Sequence, residues 1–390
     1  MGPRSAASEG LSDAAVRGAT ESAVAVARDT AAAVDREASF PVAAFATLKE
    51  SRLLGAAVPV ALGGPGLAVS SLARIARSLG RACGATGMIW AMHQIQLGCL
   101  ARGCVAGGPV ADFLAEAATD QLLVASVTSE RGVGGDLRTS VANVQPEGTG
   151  YRLEKDATVV SYGAYADGYL VTARRGPDAA PGDQVAVLAR RLQVRLEQSS
   201  QWNPMGMRGT CSPGFRLRAI VPAGQILSVP FGELAATTMV PLSHVLWSAV
   251  WIGLASEAFE RARQMLRARA GGHGLASGAE RRLALADRLL TGLEVQLNDA
   301  ADRYEPVYLG ERAATTDLAV RMNALKVAAS TATVEIAQYA LEICGMAGYQ
   351  EDGRFSMSRI LRDLYSARLM IANDRLLDMN AVNLLLTKRE

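Results

Sequence analysis

The chain has 390 residues, a formal net charge of +2, 49% apolar residues and only 5% aromatic ones. That length gives room for one large multi-part unit or two to three small domains, and the scatter of both charge signs gives no support for nucleic-acid binding or an acidic-membrane anchor. The five cysteines (Cys83, Cys99, Cys104, Cys211, Cys344) form no C-x-x-C pair and there are only three histidines, so neither a disulfide framework nor a metal centre is expected.

The first third reads as helical. Ser12–Arg36 is alanine-rich, with alanines and valines together recurring at three- and four-residue spacing, a helical period. Pro41 suits the first turn of a second helix that stops near Gly55. Gly63-Gly64-Pro65-Gly66 reads as a loop, Ser70 or Ser71 as the cap of a third helix, and about Thr86 to Arg102 as a fourth. Short β-type runs then alternate with turn residues: Leu122–Thr128, Tyr151–Tyr162, Tyr169–Ala173, Gln184–Leu188, Leu192–Leu196 and Phe215–Val221. They predict a small sandwich or barrel. Helix returns with Pro241–Arg269, Gly278–Tyr304, Thr316–Ile343 and Ser356–Lys388, joined by short or Gly-rich connections as in an antiparallel bundle. Gly271-Gly272-His273-Gly274 is the clearest break, and Gly345 a helix stop. The expected fold is α+β and mostly α. A helical domain covers 1–121, a small β-sandwich or barrel domain 122–232, and an antiparallel four-helix bundle 233–390. No apolar stretch reads as long enough to span a bilayer and no signal peptide is visible, so a cytoplasmic protein is expected.

Four segments carry a family resemblance. They are Val58-Pro59 with Gly63-Gly64-Pro65-Gly66; Val127 to Asp136 (VTSERGVGGD); Met205 to Thr210 (MGMRGT); and Ile343 to Tyr349 (ICGMAGY) followed by Arg362-Asp363. In this order and spacing the chain resembles the acyl-CoA dehydrogenase superfamily from about Asp29 to Asp374. The resemblance implies a helix–β–helix architecture, bound flavin (FAD, with FMN as the alternative) and a homo-oligomer, dimer or tetramer.

The resemblance also nominates residues. Thr128 and Ser129 match positions that hydrogen-bond the flavin's pyrimidine edge, and Ser161 matches a second flavin-contacting hydroxyl. Gly134 and Gly135 fall in the loop near the phosphates. Glu342, Gly345 and Met346 fall at the adenosine end, where Glu342 replaces a frequent glutamine and Arg267 or Arg269 would offset its charge. Relatives place the catalytic glutamate where this chain has Ile371, or else on the first bundle helix near Ser243 and His244. A hydrocarbon side chain cannot take an α-proton. The candidates for acid–base work are therefore His93, on an apolar helix; His244; and Asp374, about one helical turn beyond Ile371. Each has a plain alternative: His93 as a satisfied core residue, Asp374 as a capping or surface acid. Trp202 could line a pocket or simply pack.

Three functions follow as expectations. The first is a two-component monooxygenase or hydroxylase that uses reduced flavin from a flavin reductase, with O2, on a small or carrier-bound substrate. The second is an acyl-thioester dehydrogenase with a displaced base. The third is a non-catalytic supporting subunit of a mixed oligomer. Fold analogy cannot choose among them.

Overall fold

A computed structural model describes residues 12–270 and 278–386. The Gly-Gly-His-Gly break at 271–274 lies outside them. Helix α1 (Asp13–Glu37) is capped by the Ser12 hydroxyl, which accepts from the Ala15 N–H, and ends with Ala38 in the left-handed conformation. Then come α2 (Val42–Glu50), α3 (Val69–Ala82) and α4 (Gly84–Gly103). The cap expected at Ser70 or Ser71 falls instead on Ala68, and the Val69 N–H, which has no partner within the helix, is met by the Glu305 carboxylate at 2.6 Å. A further helix, α5 (Pro109–Asp120), starts on a proline that needs no N–H partner. It was not among the expected elements.

The middle region forms two sheets. Strands β1 (Val124–Val127), β4 (Gly168–Arg174) and β5 (Gln184–Arg190) make one, in the order β1-β4-β5, with β1 and β4 parallel. Strands β2 (Val144–Glu147), β3 (Gly150–Ala157), β6 (Val194–Gln198) and β7 (Phe215–Pro222) make the other, antiparallel, in the order β2-β3-β7-β6. Strand β7 alternates buried and exposed residues along its whole length, the mark of a sheet with one wet face. That face carries Arg216 and Arg218 and lies over a cavity of about 500 Å³. Arg131, Arg152 and Arg218 around it are already paired with Asp156, Glu147 and Glu154, so it reads as a solvated charge ladder.

Helix α6 (Phe231–Leu234) passes through a π turn (Ala235–Met239) into α7 (Val240–Ala270), and the Tyr304 hydroxyl donates to the Thr237 carbonyl in the widened turn. Taken together, Phe231–Arg269 is long and apolar enough to cross a membrane, contrary to the sequence expectation, but 89% of its most apolar window is buried inside the protein, as in a core helix. Helices α3 and α7 cross at contact distance. A Cβ on Gly80 would meet the Val250 carbonyl oxygen at 2.5 Å, and one on Gly253 the Arg77 oxygen at 2.2 Å.

Helices α8 (Ala279–Tyr308) and α9 (Thr316–Cys344) pack with α7. Short α10 (Met346–Tyr349) follows. The last predicted helix, Ser356–Lys388, is not one helix. It splits into α11 (Ser358–Tyr365), a 3-10 turn (Ser366–Arg368) and α12 (Asn373–Leu386). At the break, Ile371 has φ +63°, a conformation that a β-branched residue rarely adopts.

Candidate active site

The site is best built outward from that break. On α9, Lys326 is wholly buried, and its ammonium donates to the Ile371 carbonyl and, at 2.8 Å, to Asn373 Oδ1. Ser330 donates to the same Asn373 oxygen at 3.1 Å. Both Lys326 acceptors are neutral, no carboxylate pairs with it among the described residues, and Nζ stands 6.0 Å from the centre of the Trp251 ring. Burial pushes its pKa down to about 8. Across from it, α7 presents His244, Trp247, Ser248 and Trp251 at helical spacing. His244 Nδ1 and Nε2, Trp247 Nε1, Ser248 Oγ and Trp251 Nε1 have no hydrogen-bond partner there. His244 approaches the Met322 backbone without completing a bond, and burial, then the nearby Lys326 charge, lower its pKa to about 3. It is a neutral interior group at physiological pH, not a base poised near neutrality.

The turn after α11 also reaches the glycine loop. Arg375 Nη1, in the first turn of α12, donates to the Gly135 carbonyl at 2.9 Å. Gly134 and Gly135 are exposed, have φ +58° and +74°, and leave open space where a side chain would stand. Such a loop lets a ligand approach the backbone closely. Behind it, buried Glu130 accepts from Ser140 Oγ and from the Val141 and Ala142 N–H groups, and faces the buried Lys155 ammonium at 3.4 Å. The loop is thus anchored at its base and open at its tip.

At the end of β1, Thr128 Oγ1 is half-buried and has only a long 3.4 Å contact from Ser126. Ser129 is already engaged: its hydroxyl donates to the Val159 carbonyl at 2.6 Å and accepts the Val159 N–H at 3.0 Å. These two bonds give Ser129 a bracing task, since it fixes the segment that carries Ser161. A chain of hydroxyls runs behind Ser161. Thr210 donates to the Met207 carbonyl, Ser212 lies 2.8 Å from Thr210, and Ser212 donates to Ser161 at 2.9 Å. Ser212 also lies 3.2 Å from the Thr210 carbonyl, so its single proton serves either that carbonyl or Ser161; in the second arrangement the Ser161 hydroxyl keeps its own proton to donate outward. Thr128, Ser161 and the bare backbone of Gly134–Gly135 fit the polar edge and phosphate of a flavin.

His93 and Asp374 take the plain alternatives given for them rather than acid–base roles, and the partner expected for Glu342 is corrected. His93 is buried on α4; its Nε2 donates to the Leu54 carbonyl at 2.9 Å and its Nδ1 accepts the Val124 N–H at 3.0 Å. No ring nitrogen remains for chemistry, and burial lowers its pKa to about 4. With Trp90 and Gln94, it satisfies the irregular backbone at Leu53–Ala57. Asp374 is an exposed acid in the first turn of α12, where it complements the helix N-terminus. The charge of Glu342 is offset by Arg282 of α8, not by Arg267 or Arg269. Arg269 instead donates to the Ile343 carbonyl at the end of α9.

Glu342, Gly345 and exposed Met346 form a separate group. Glu342 is sixteen residues beyond Lys326 on α9, about 24 Å along the axis, so one chain does not bring it to the Ile371 turn. Asp363 is buried. It accepts the Met207 N–H at 2.5 Å, while Arg362 grips Asp35 and Glu351. This pair latches the bundle to the Met-Gly-Met-Arg turn and to α1. Trp202 donates its indole N–H to the Arg208 carbonyl and braces the same turn. Sequence reasoning missed Lys326, Asn373 and Arg375. A lysine inside the apolar run Leu325–Ala329 was the available signal for the first.

Comparison with known proteins agrees with the fold. The acyl-CoA dehydrogenase N-terminal domain family matches residues 12–103, and the acyl-CoA dehydrogenase C-terminal domain family matches 234–371. The chain is similar to the amino sugar nitrososynthase DnmZ of Streptomyces peucetius, at 28% identity over 85% of this chain and 83% of that protein. It is also similar to the cyclohex-1-ene-1-carbonyl-CoA dehydrogenase of Syntrophus aciditrophicus (strain SB), at 25% identity over 83% and 78%. Among solved structures it resembles the dibenzothiophene monooxygenase TdsC of Paenibacillus sp. A11-2, with a TM-score of 0.81 and 19% identity over 97% of this chain and 98% of that one. TdsC has also been solved with FMN bound. With both terminal family domains matched over more than half of its length and the β domain set between them, the chain belongs to the acyl-CoA dehydrogenase superfamily.

Proposed function

We propose that this protein is a flavin-dependent monooxygenase of the two-component kind, which takes reduced flavin from a separate reductase and oxygenates a small or carrier-bound substrate. The observation that carries the reading is Ile371. In the resemblance its position belongs to the glutamate that removes an α-proton, and here it is a hydrocarbon on a left-handed turn. The acids nearest in sequence have other work: Asp363 is buried against Met207 N–H and Asp374 is an exposed first-turn residue.

Reduced flavin, when bound, would supply the electrons by which O2 places one oxygen atom on the substrate and leaves the other as water. The chain's own contribution is placement and exclusion of water. Thr128 and Ser161 would hold the ring's polar edge, Ser129 fixes Ser161 through Val159, and the Gly134–Gly135 backbone would receive the phosphate. An isoleucine on the turn gives a dry wall, which suits a reaction in which stray proton transfer is a side path. FMN and FAD both fit this reading. The same reading makes the protein a cytoplasmic homo-oligomer, dimer or tetramer. The similarity to a nitrososynthase and to a monooxygenase of the same fold supports it.

An acyl-thioester dehydrogenase is the second reading, favoured by the similarity to a CoA-thioester dehydrogenase. One experiment separates them. The purified protein is given enzymatically reduced FMN and O2 with a panel of amines, aromatic heterocycles and thioesters, and oxygenated product is measured. In parallel, the oxidised flavin complex is mixed anaerobically with acyl thioesters. Oxygenated product without anaerobic bleaching supports the monooxygenase. Bleaching by a thioester overturns it.

A further inference from the structure

We propose that Lys326 is the positioning residue of the active site: through its contact with the Ile371 carbonyl and Asn373, it holds the turn Leu369–Ala372 in the strained form that sets the wall of the flavin pocket. The inference rests on the flavin reading above for its consequence, and on the geometry for its mechanism.

Three observations support it. First, Ile371 sits at φ +63°, where a β-branched side chain crowds its own backbone. Such a residue persists only where its surroundings over-determine it. Second, the contacts that do so come from α9. Lys326 Nζ donates to the Ile371 carbonyl and to Asn373 Oδ1, and Ser330 donates to that same amide oxygen. Within the turn itself, the backbone bonds are those of Leu369 and Met370 to the Ser366 carbonyl, which do not reach Ile371. Third, the lysine is an expensive choice for a core. It is fully buried and lacks a carboxylate partner among the described residues, and it faces the Trp251 ring and a neutral histidine. A cation buried in this way costs stability that a hydrocarbon of the same length would not. Its position is therefore explained by what it holds in place. At the far side of the same turn, Arg375 ties the chain to Gly135, so a shift at Ile371 would be passed directly to the glycine loop.

The test compares wild-type full-length protein with Lys326→Met and Lys326→Arg. In flavin-free protein, amide deuterium exchange over residues 366–373 is expected to accelerate in Lys326→Met by on the order of tenfold, the scale of one charge-assisted hydrogen bond. Protection of α7 and α9 and the melting temperature should not fall, because a buried charge has been replaced by hydrocarbon of similar volume. Lys326→Arg, which keeps a donor, should recover part of the protection. Loaded with oxidised FMN, Lys326→Met should bind it roughly five- to tenfold more weakly. Unchanged exchange at 366–373 overturns the proposal. So does a loss of protection spread evenly through α7 and α9, which would make Lys326 an ordinary core residue. If Lys326→Met does not fold, Asn373→Ala removes the second acceptor of the same contact and is read in the same way. If the wild type takes up no FMN, the functional reading fails, while the exchange experiment still decides the role of Lys326.

Discussion

Arg375 reaches back 240 residues to donate to the Gly135 carbonyl, so the first turn of α12 and the open glycine loop share one contact. Arg375→Ala should leave folding nearly unchanged, since both partners are exposed. It should weaken FMN binding by about fivefold, the worth of one hydrogen bond of about 1 kcal/mol. Fluorescence quenching of FMN on titration measures this directly, and equal affinity for variant and wild type would contradict it.

Ser129 makes a two-way bridge with the Val159 backbone. Ser129→Ala removes both bonds and frees the segment leading to Ser161. The expected cost is about 1–2 kcal/mol in urea unfolding, together with weaker flavin uptake. A variant with wild-type stability and wild-type FMN affinity would show that the bridge does not brace the segment.

His93 and His244 are both held neutral by burial, at about 4 and about 3 against an ordinary value of 6.5. The sign follows from linkage. The folded pKa is depressed, so the unfolded chain binds protons first as pH falls. The contribution of each group is complete above 6.5 and is lost progressively below it. For His93 the loss by pH 4 amounts to about 3 kcal/mol. Urea midpoints measured from pH 7 down to 4.5 should therefore fall, and His93→Gln should have an acid slope about one proton shallower than wild type. An identical slope would mean that His93 is not neutral in the fold.

Asp363 runs the other way. Burial raises its pKa to about 6 from 3.8, with the Met207 N–H as the largest opposing influence. Between those values the folded state binds the extra proton, so this group's contribution declines as pH rises from 3.8 to 6. Asp363→Ala leaves the Met207 N–H without its acceptor and should cost about 2–3 kcal/mol. Asp363→Asn keeps an oxygen there and should recover most of that loss while steepening the acid limb. Equal destabilisation by Ala and Asn would remove the Met207 bond from the account.

The architecture was legible because its signals are periodic and local. The β-type run Phe215–Val221, the alanine-rich run from Ser12 and the glycine stop at Gly345 can each be read within a few residues. What escaped depends on partners distant in the chain. The break before α12 is enforced by a lysine 45 residues earlier, so the run Ser356–Lys388 looked continuous. Strand β2 is four residues long with Pro146 inside it, below any useful pattern. The N-terminus of α3 is completed by Glu305, from the opposite end of the chain. In the site, the hydroxyl residues were found from family motifs, but their tasks were not. The motif could not tell that Ser129 spends its hydroxyl on Val159, or that His93 spends both nitrogens on backbone.

The widened turn at Ala235–Met239 has a consequence for everything downstream of it on α7. A π turn carries one residue more than an α turn, and one residue is a rotation of roughly 100°. Deleting a single residue there would restore regular winding and swing His244, Trp247, Ser248 and Trp251 around the barrel of their helix, away from Lys326. The Tyr304 hydroxyl, which now occupies the loosened carbonyls, would lose its acceptor at the same stroke. The bulge is thus a phase-setter: the angular position of the polar stripe is written five residues before it begins.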